Sequence, residues 1–286
     1  MSNCRVHTKV AGELAPVSDN DDAPMRPRVR LMGSGEGMPA LLIYRKAWAL
    51  LGYLALEPER RHSRLALAVM LWPQFPESAA KTNLRQVLCN LSKYCSQALG
   101  EGVLRVERAA VALRRPGRPL FDIDPAGQTR ANVQELLSEN RVFLGGMDDV
   151  AGVDFRIWLE AARQSLEADL MGSAEKCCEQ MIAAGRWEEA ASLANILLRR
   201  DAWNEVHARR AMCAYAGHGM RAAAIAVYER TRDLLLNDLG VEPSEETKQL
   251  LARIRSGSGA TPASMNAANG ARTASGRPQL HLLMPG

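Results

Sequence analysis

The strongest constraint on how this chain folds is residues 78–99, a stretch without a single acidic residue that carries one unbroken amphipathic period. Leu84, Val87, Leu88 and Leu91 recur three and four apart, and Tyr94, Cys95 and Ala98 extend the stripe, which predicts a helix from about 76 to 100 with one apolar face. Its other face carries Lys81, Thr82, Arg85, Gln86, Cys89, Asn90 and Lys93, with Asn83 as a further polar candidate. Every amphipathic helix needs a solvated face. What sets this one apart is that amides and cations dominate it after Glu77.

The neighbouring segments give this helix a setting. Ala47, Leu50, Leu51, Leu54 and Ala55 predict a helix over 44–57, ending near Glu57-Pro58. Ser63 is placed to cap a second helix, in which Leu65, Leu67, Ala68, Leu71 and Trp72 are apolar before Pro73 stops it. After the third helix, 103–106 and 111–113 read as two short strands, with Arg105 and Arg108 at or near the tip of the hairpin they form. Upstream, 28–32 alternates as a strand does, and 40–43 is expected to return as its partner across Gly33-Ser34-Gly35-Glu36-Gly37. That glycine run lacks the Lys-Ser/Thr ending of a phosphate loop, and Pro39 interrupts the approach to the next helix, so it reads as a hairpin turn.

A small sheet, three helices and a closing hairpin make the element order of a winged helix-turn-helix. A helix fits the major groove, and an adjacent hairpin can set a cation in the minor groove or on the backbone. Arg and Lys suit guanine edges and phosphates, and Asn and Gln suit adenine edges. The candidate DNA contacts are therefore Lys81, Thr82, Asn83, Arg85, Gln86, Asn90 and Lys93 on the third helix, with Arg105 and Arg108 on the hairpin. Charge agrees with this division. The formal net charge of +4 splits into +8 over residues 1–121 and −4 over residues 122–286.

The second half reads as helical, with a crossing segment at 121–128 and helices expected at 131–138 and 155–170. The segments beginning Gly185-Arg186-Trp187-Glu188-Glu189-Ala190 and Gly219-Met220-Arg221-Ala222-Ala223-Ala224 are offset by 34 residues, the spacing of tetratricopeptide (TPR) repeats. Such repeats make a concave protein-binding surface and imply no reaction. Residues 1–25 are read as a disordered leader and 256–286 as a disordered Gly/Ala/Ser-rich tail ending in the apolar Leu280-His281-Leu282-Leu283-Met284.

Several function classes find no support. No run of apolar residues is long enough for a transmembrane helix or a signal peptide, so a cytoplasmic, nucleoid-associated protein is expected. The cysteines at 4, 89, 95, 177, 178 and 213 include no Cys-x-x-Cys pair, and the five histidines are scattered, so neither a metal site nor a cofactor is expected. No nucleophile–base order has supporting context, and the expectation is a protein that is not an enzyme.

The chain resembles a known family. The run Trp48-Ala49-Leu50-Leu51-Gly52-Tyr53-Leu54-Ala55-Leu56, then Leu71-Trp72-Pro73, then Ala80-Lys81-Thr82-Asn83-Leu84-Arg85-Gln86-Val87-Leu88 through Leu91-Ser92-Lys93, looks like the DNA-binding domain of SARP-type transcriptional activators. Phe143-Leu144-Gly145-Gly146, Phe155-x-x-Trp158-Leu159 with Arg163, and Tyr228 through Leu239-Gly240-Val241-Glu242-Pro243-Ser244 look like the bacterial transcriptional activator domain (BTAD) of the same proteins. The resemblance implies a mainly α chain with small β. A winged helix-turn-helix (26–120) would be followed by an all-α, TPR-like BTAD (121–255). It also implies an activator that binds promoter repeats in double-stranded DNA and recruits RNA polymerase, with a homodimer formed through the BTAD. Where relatives carry Leu-Arg-Arg after the recognition helix, this chain has Lys93-Tyr94 at the second arginine, and no nucleotide-binding ATPase module is expected after the BTAD. The alternative is a TPR-like adaptor whose basic first domain binds an acidic protein.

Overall fold

The computed structural model describes residues 29–33, 39, 42–115, 120–123, 133, 136–137 and 141–257. The expected leader, nearly all of the expected tail, and most of 124–140 lie outside them. The described chain is mostly helical, with a small sheet near its start.

Helix α1 (Arg45–Leu56) is followed by strand β1 (His62–Ser63) and helix α2 (Arg64–Leu71). The Ser63 hydroxyl accepts from the backbone N–H of Ala66 at 3.5 Å, so the expected cap is in place. Helix α3 (Glu77–Ala98) buries Leu84, Val87, Leu88, Leu91, Tyr94 and Cys95. Strands β2 (Leu104–Val106) and β3 (Ala110–Leu113) form the hairpin, and β1 joins β3 to make an antiparallel sheet in the order β1-β3-β2. Two residues are too few to show a strand period, which is why β1 escapes sequence reading.

One expectation fails. Residues 28–32 were read as pairing with 40–43, but Leu42 and Ile43 are in no strand, while 31–33 lie against 142–145. Leu144 donates to Leu31 O at 2.9 Å, Gly33 to Val142 O at 2.9 Å, and Gly145 to Gly33 O at 3.0 Å. The Asp122 carboxylate accepts from the N–H groups of Leu31 (2.7 Å) and Met32 (3.1 Å). A distant apolar segment satisfies this short strand better than the glycine turn does, because it also buries Val29, Leu31 and Met32.

The second half contains α4 (Val153–Ala183), α5 (Trp187–Arg200), α6 (Glu205–Gly217), α7 (Arg221–Leu234) and α8 (Glu245–Ser256). Helix α4 runs 31 residues and passes through the expected stop after Leu170, because nothing crowds the space beside Gly172 and a mid-helix glycine costs only about 1 kcal/mol. The 34-residue echo is exact in geometry. Gly185 and Gly219 both adopt left-handed φ (69° and 81°), and the next N–H in each copy returns to a carbonyl at the end of the preceding helix. Those bonds are Arg186 to Met181 O (2.9 Å) and Met220 to Tyr215 O (2.8 Å). Ala190 and its counterpart Ala224 are both wholly buried where the helices meet.

The two halves pack tightly. Tyr53 of α1 stacks on Trp158 of α4 with ring centroids 4.7 Å apart. A Cβ on Gly52 would lie 2.6 Å from a Leu144 methyl, and one on Gly152 would lie 2.4 Å from the Pro73 ring. Both positions require glycine for close approach.

Candidate nucleic-acid interface

Around α3 the polar residues divide by environment. Thr82, Arg85, Gln86, Cys89 and Lys93 lie opposite the buried stripe and are exposed. Lys81 is exposed too but forms an ion pair with Glu77 one turn earlier. The Thr82 hydroxyl donates to Ser78 O at 3.0 Å, which fixes its rotamer. Asn83 and Asn90 are half-buried on the flank of the helix. Asn83 and Gln86 line a hollow of about 480 Å³ that is also walled by Tyr44, Trp72, Phe75 and Val150. The centre of the accessible face therefore belongs to Arg85, Gln86 and Lys93 rather than to the asparagines.

Arg105 projects from β2, and Arg108 sits in the turn between β2 and β3; both are exposed. The turn is held from α2. Arg61 pairs with the Glu107 carboxylate, Arg64 donates from its side chain to Glu107 O at 3.2 Å, and the Arg64 N–H bonds Ala109 O at 3.0 Å. Glu107, the one acid in the turn, is thereby neutralised within the protein, and the arginines beside it keep their charge for an external partner. Sequence reading missed this role of Arg61 and Arg64. The available signal was the cluster of Arg60, Arg61 and Arg64 around the Ser63 cap. Arg85, Lys93, Arg105 and Arg108 have no ion-pair partner among the described residues.

Behind this surface lie His62 and Lys46. His62 is 7% exposed, packs edge-on to Tyr53 at 5.1 Å, and burial pushes its imidazole below the ordinary range, so it stays neutral near pH 7. The Lys46 ammonium sits 4.7 Å above the Trp72 ring and bonds Leu71 O; burial lowers its pKa. No group of three or more metal-ligating side chains occurs among the described residues. No described helix is long and apolar enough to cross a membrane.

The motifs of the second half hold structure. The Arg163 guanidinium donates to Phe143 O (2.9 Å) and Leu144 O (3.1 Å) and pairs with Asp148, so it clamps the Phe-Leu-Gly-Gly turn, in which Leu144 has φ 47°. After a π-helical turn over Leu235–Leu239, Gly240 takes left-handed φ, and Ser244 begins α8. The Glu205 carboxylate accepts from the Ser244 N–H (2.9 Å) and hydroxyl (2.7 Å), which docks that closing motif on α6.

Residues 142–255 match the bacterial transcriptional activator domain family. The transcriptional regulatory protein MoaR1 of Mycobacterium bovis is 25% identical across 73% of this chain and 71% of its own length. The chain is similar to SARP-type transcriptional regulators. The solved structure of Mycobacterium tuberculosis EmbR in complex with a low-affinity phosphopeptide shares the fold of this chain, with a TM-score of 0.55 and 22% identity over 84% of this chain and 68% of that one. The expected mainly α architecture, with its small N-terminal sheet, is thus the one the chain has.

Proposed function

We propose that this chain binds double-stranded DNA through α3 and the β2–β3 hairpin, and activates transcription by bringing RNA polymerase to promoter repeats. In this reading 26–120 is the DNA-binding unit, 121–255 is the activating unit that also pairs two copies, and the protein works in the cytoplasm at the nucleoid. The observation that carries it is the set of four exposed cations, Arg85, Lys93, Arg105 and Arg108, on one helix and the hairpin beside it, with no carboxylate partner among the described residues. In this reading Arg85 and Gln86 read base edges, while Lys93 and the hairpin arginines contact phosphates or the minor groove. Lys81, Thr82, Asn83 and Asn90 remain in the proposed contact set, at the end and flank of the same helix.

The test is selection of a preferred duplex from a random pool, followed by gel shift with Arg85→Ala. The substitution is expected to weaken the selected site by about 1–3 kcal/mol and relax preference at one position. Genomic footprinting of an Arg85→Ala/Gln86→Ala variant should lose the sites that the wild type occupies. A wild type that selects no sequence, and binds duplex only through salt-dependent contact, would instead fit a TPR-like adaptor.

A further inference from the structure

The hollow of about 480 Å³ beside α3 has walls that the DNA reading leaves unused. Besides α3, three segments far apart in the chain meet there: 43–46 at the start of α1, 72–75 between α2 and α3, and the turn at 149–150. Its volume lies within the range of sites that hold small molecules. Ile43, Tyr44 and Phe75 line it, and all three stand exposed despite their large apolar or aromatic side chains. Apolar surface left open side by side in one concavity marks a place that another molecule can cover.

The polar groups around the hollow narrow what that molecule is. The Arg45 guanidinium donates to Gly146 O, and the Lys46 ammonium donates to Leu71 O while standing 4.7 Å above the Trp72 ring. These bonds hold both cations at the wall and leave each with further donors. Neither has a carboxylate partner among the described residues. Burial lowers the pKa of Lys46, a cost that an anion beside it would offset. Asp149 is the one acid in the lining, and it is exposed. Two cations against one acid, set among aromatic rings, suit a flat molecule with a single negative charge. A bare phosphate would match the cations and leave Tyr44 and Phe75 uncovered. A neutral hydrocarbon would cover the rings and leave Lys46 without a counter-charge.

We propose that this hollow binds a small aromatic carboxylate, with its ring against Tyr44 and Phe75 and its carboxylate at Lys46 and Arg45. Asn83 and Gln86 edge the same hollow, so the bound acid lies beside the face of α3 assigned to DNA above. Binding itself does not rest on that assignment and is measured without DNA. The probe is 2-naphthoate, titrated into the full chain by isothermal calorimetry, with 2-naphthamide as its neutral counterpart. Wild type is expected to bind the amide about tenfold more weakly than the acid. Phe75→Ser and Lys46→Met should each weaken naphthoate about tenfold, whereas Asp149→Asn, which removes the repelling charge, should tighten it about twofold. Phe75 and Asp149 are exposed, so those two variants should keep the wild-type melting temperature and test the site even if Lys46→Met folds poorly. Equal affinity for naphthoate and naphthamide, or equal affinity of wild type and Phe75→Ser for naphthoate, would overturn the site. So would displacement of naphthoate by inorganic phosphate, which would mark a seat for the DNA backbone, or no binding at about 1 mM naphthoate.

Discussion

On α3 and the hairpin, Arg85, Lys93, Arg105 and Arg108 are exposed with no ion-pair partner among the described residues, whereas in the repeat half Arg210 on α6 is 2% exposed and packed against α4. Its guanidinium reaches Glu179 at 2.6 Å and Glu175 at 3.5 Å, with His207 Nδ1 at 3.1 Å. The same side-chain chemistry thus has two uses. A buried guanidinium paired by its own chain contributes to stability, while an exposed, unmatched one keeps its charge for another molecule. Burial and partner count separate the two, and residue type does not.

The largest expected effect tests the buried side of that contrast. Arg210→Ala should cost about 3–5 kcal/mol in unfolding free energy, because it opens a cavity and strips the acids and His207 of their partner. Chemical denaturation measures it. A loss below about 1 kcal/mol would show that the buried arginine is no more structural than a surface one.

Asp122 comes next, as the buried carboxyl at the junction of the halves. Burial raises its pKa to about 6 from 3.8, despite the Leu31 and Met32 N–H groups that favour its charged form. A pKa raised on folding means that the folded state holds the proton more tightly, so stability from this group is full below about pH 4 and is lost as pH rises through about 6. Wild type should therefore lose up to about 3 kcal/mol relative to Asp122→Asn between pH 4 and pH 7, read from paired denaturation curves. Parallel curves across that range would refute the assignment.

Arg163→Ala should cost roughly 2 kcal/mol, through the lost bonds to Phe143 O and Leu144 O, and show as a lower melting temperature. On the exposed side, Lys93→Ala should leave the melting temperature alone and reduce the slope of log affinity against log salt by about one. If Lys93→Ala lowered stability as Arg163→Ala does, the contrast between matched and unmatched cations would fail.

Much of the fold was legible because it is written in local periods. The apolar stripe of α3, the Ser63 cap and the two glycine turns 34 residues apart each carry their signal within one or two helical turns. The contact set was legible only as a list. Nothing local distinguishes Lys81, tied to Glu77, from Arg85, which is not. Asn83 and Asn90 share the polar composition of α3 yet sit on its flank, because facing depends on what packs beside the helix. The 31–33 pairing was misread for the same kind of reason. Its true partner lies more than a hundred residues away, and a glycine-rich turn close by offered a plausible local alternative.

The sequence by itself determined the three N-terminal helices and their closing hairpin, the repeat, and the acid-poor face of α3, because helix and strand periods and turn residues act over a few positions. Only the tertiary structure decided which cations are satisfied within the chain and which stay available. It also decided that the two halves interlock through Asp122, Gly52 and Trp158. Burial and charge pairing depend on distances between residues far apart in the chain, and those distances exist only once it has folded.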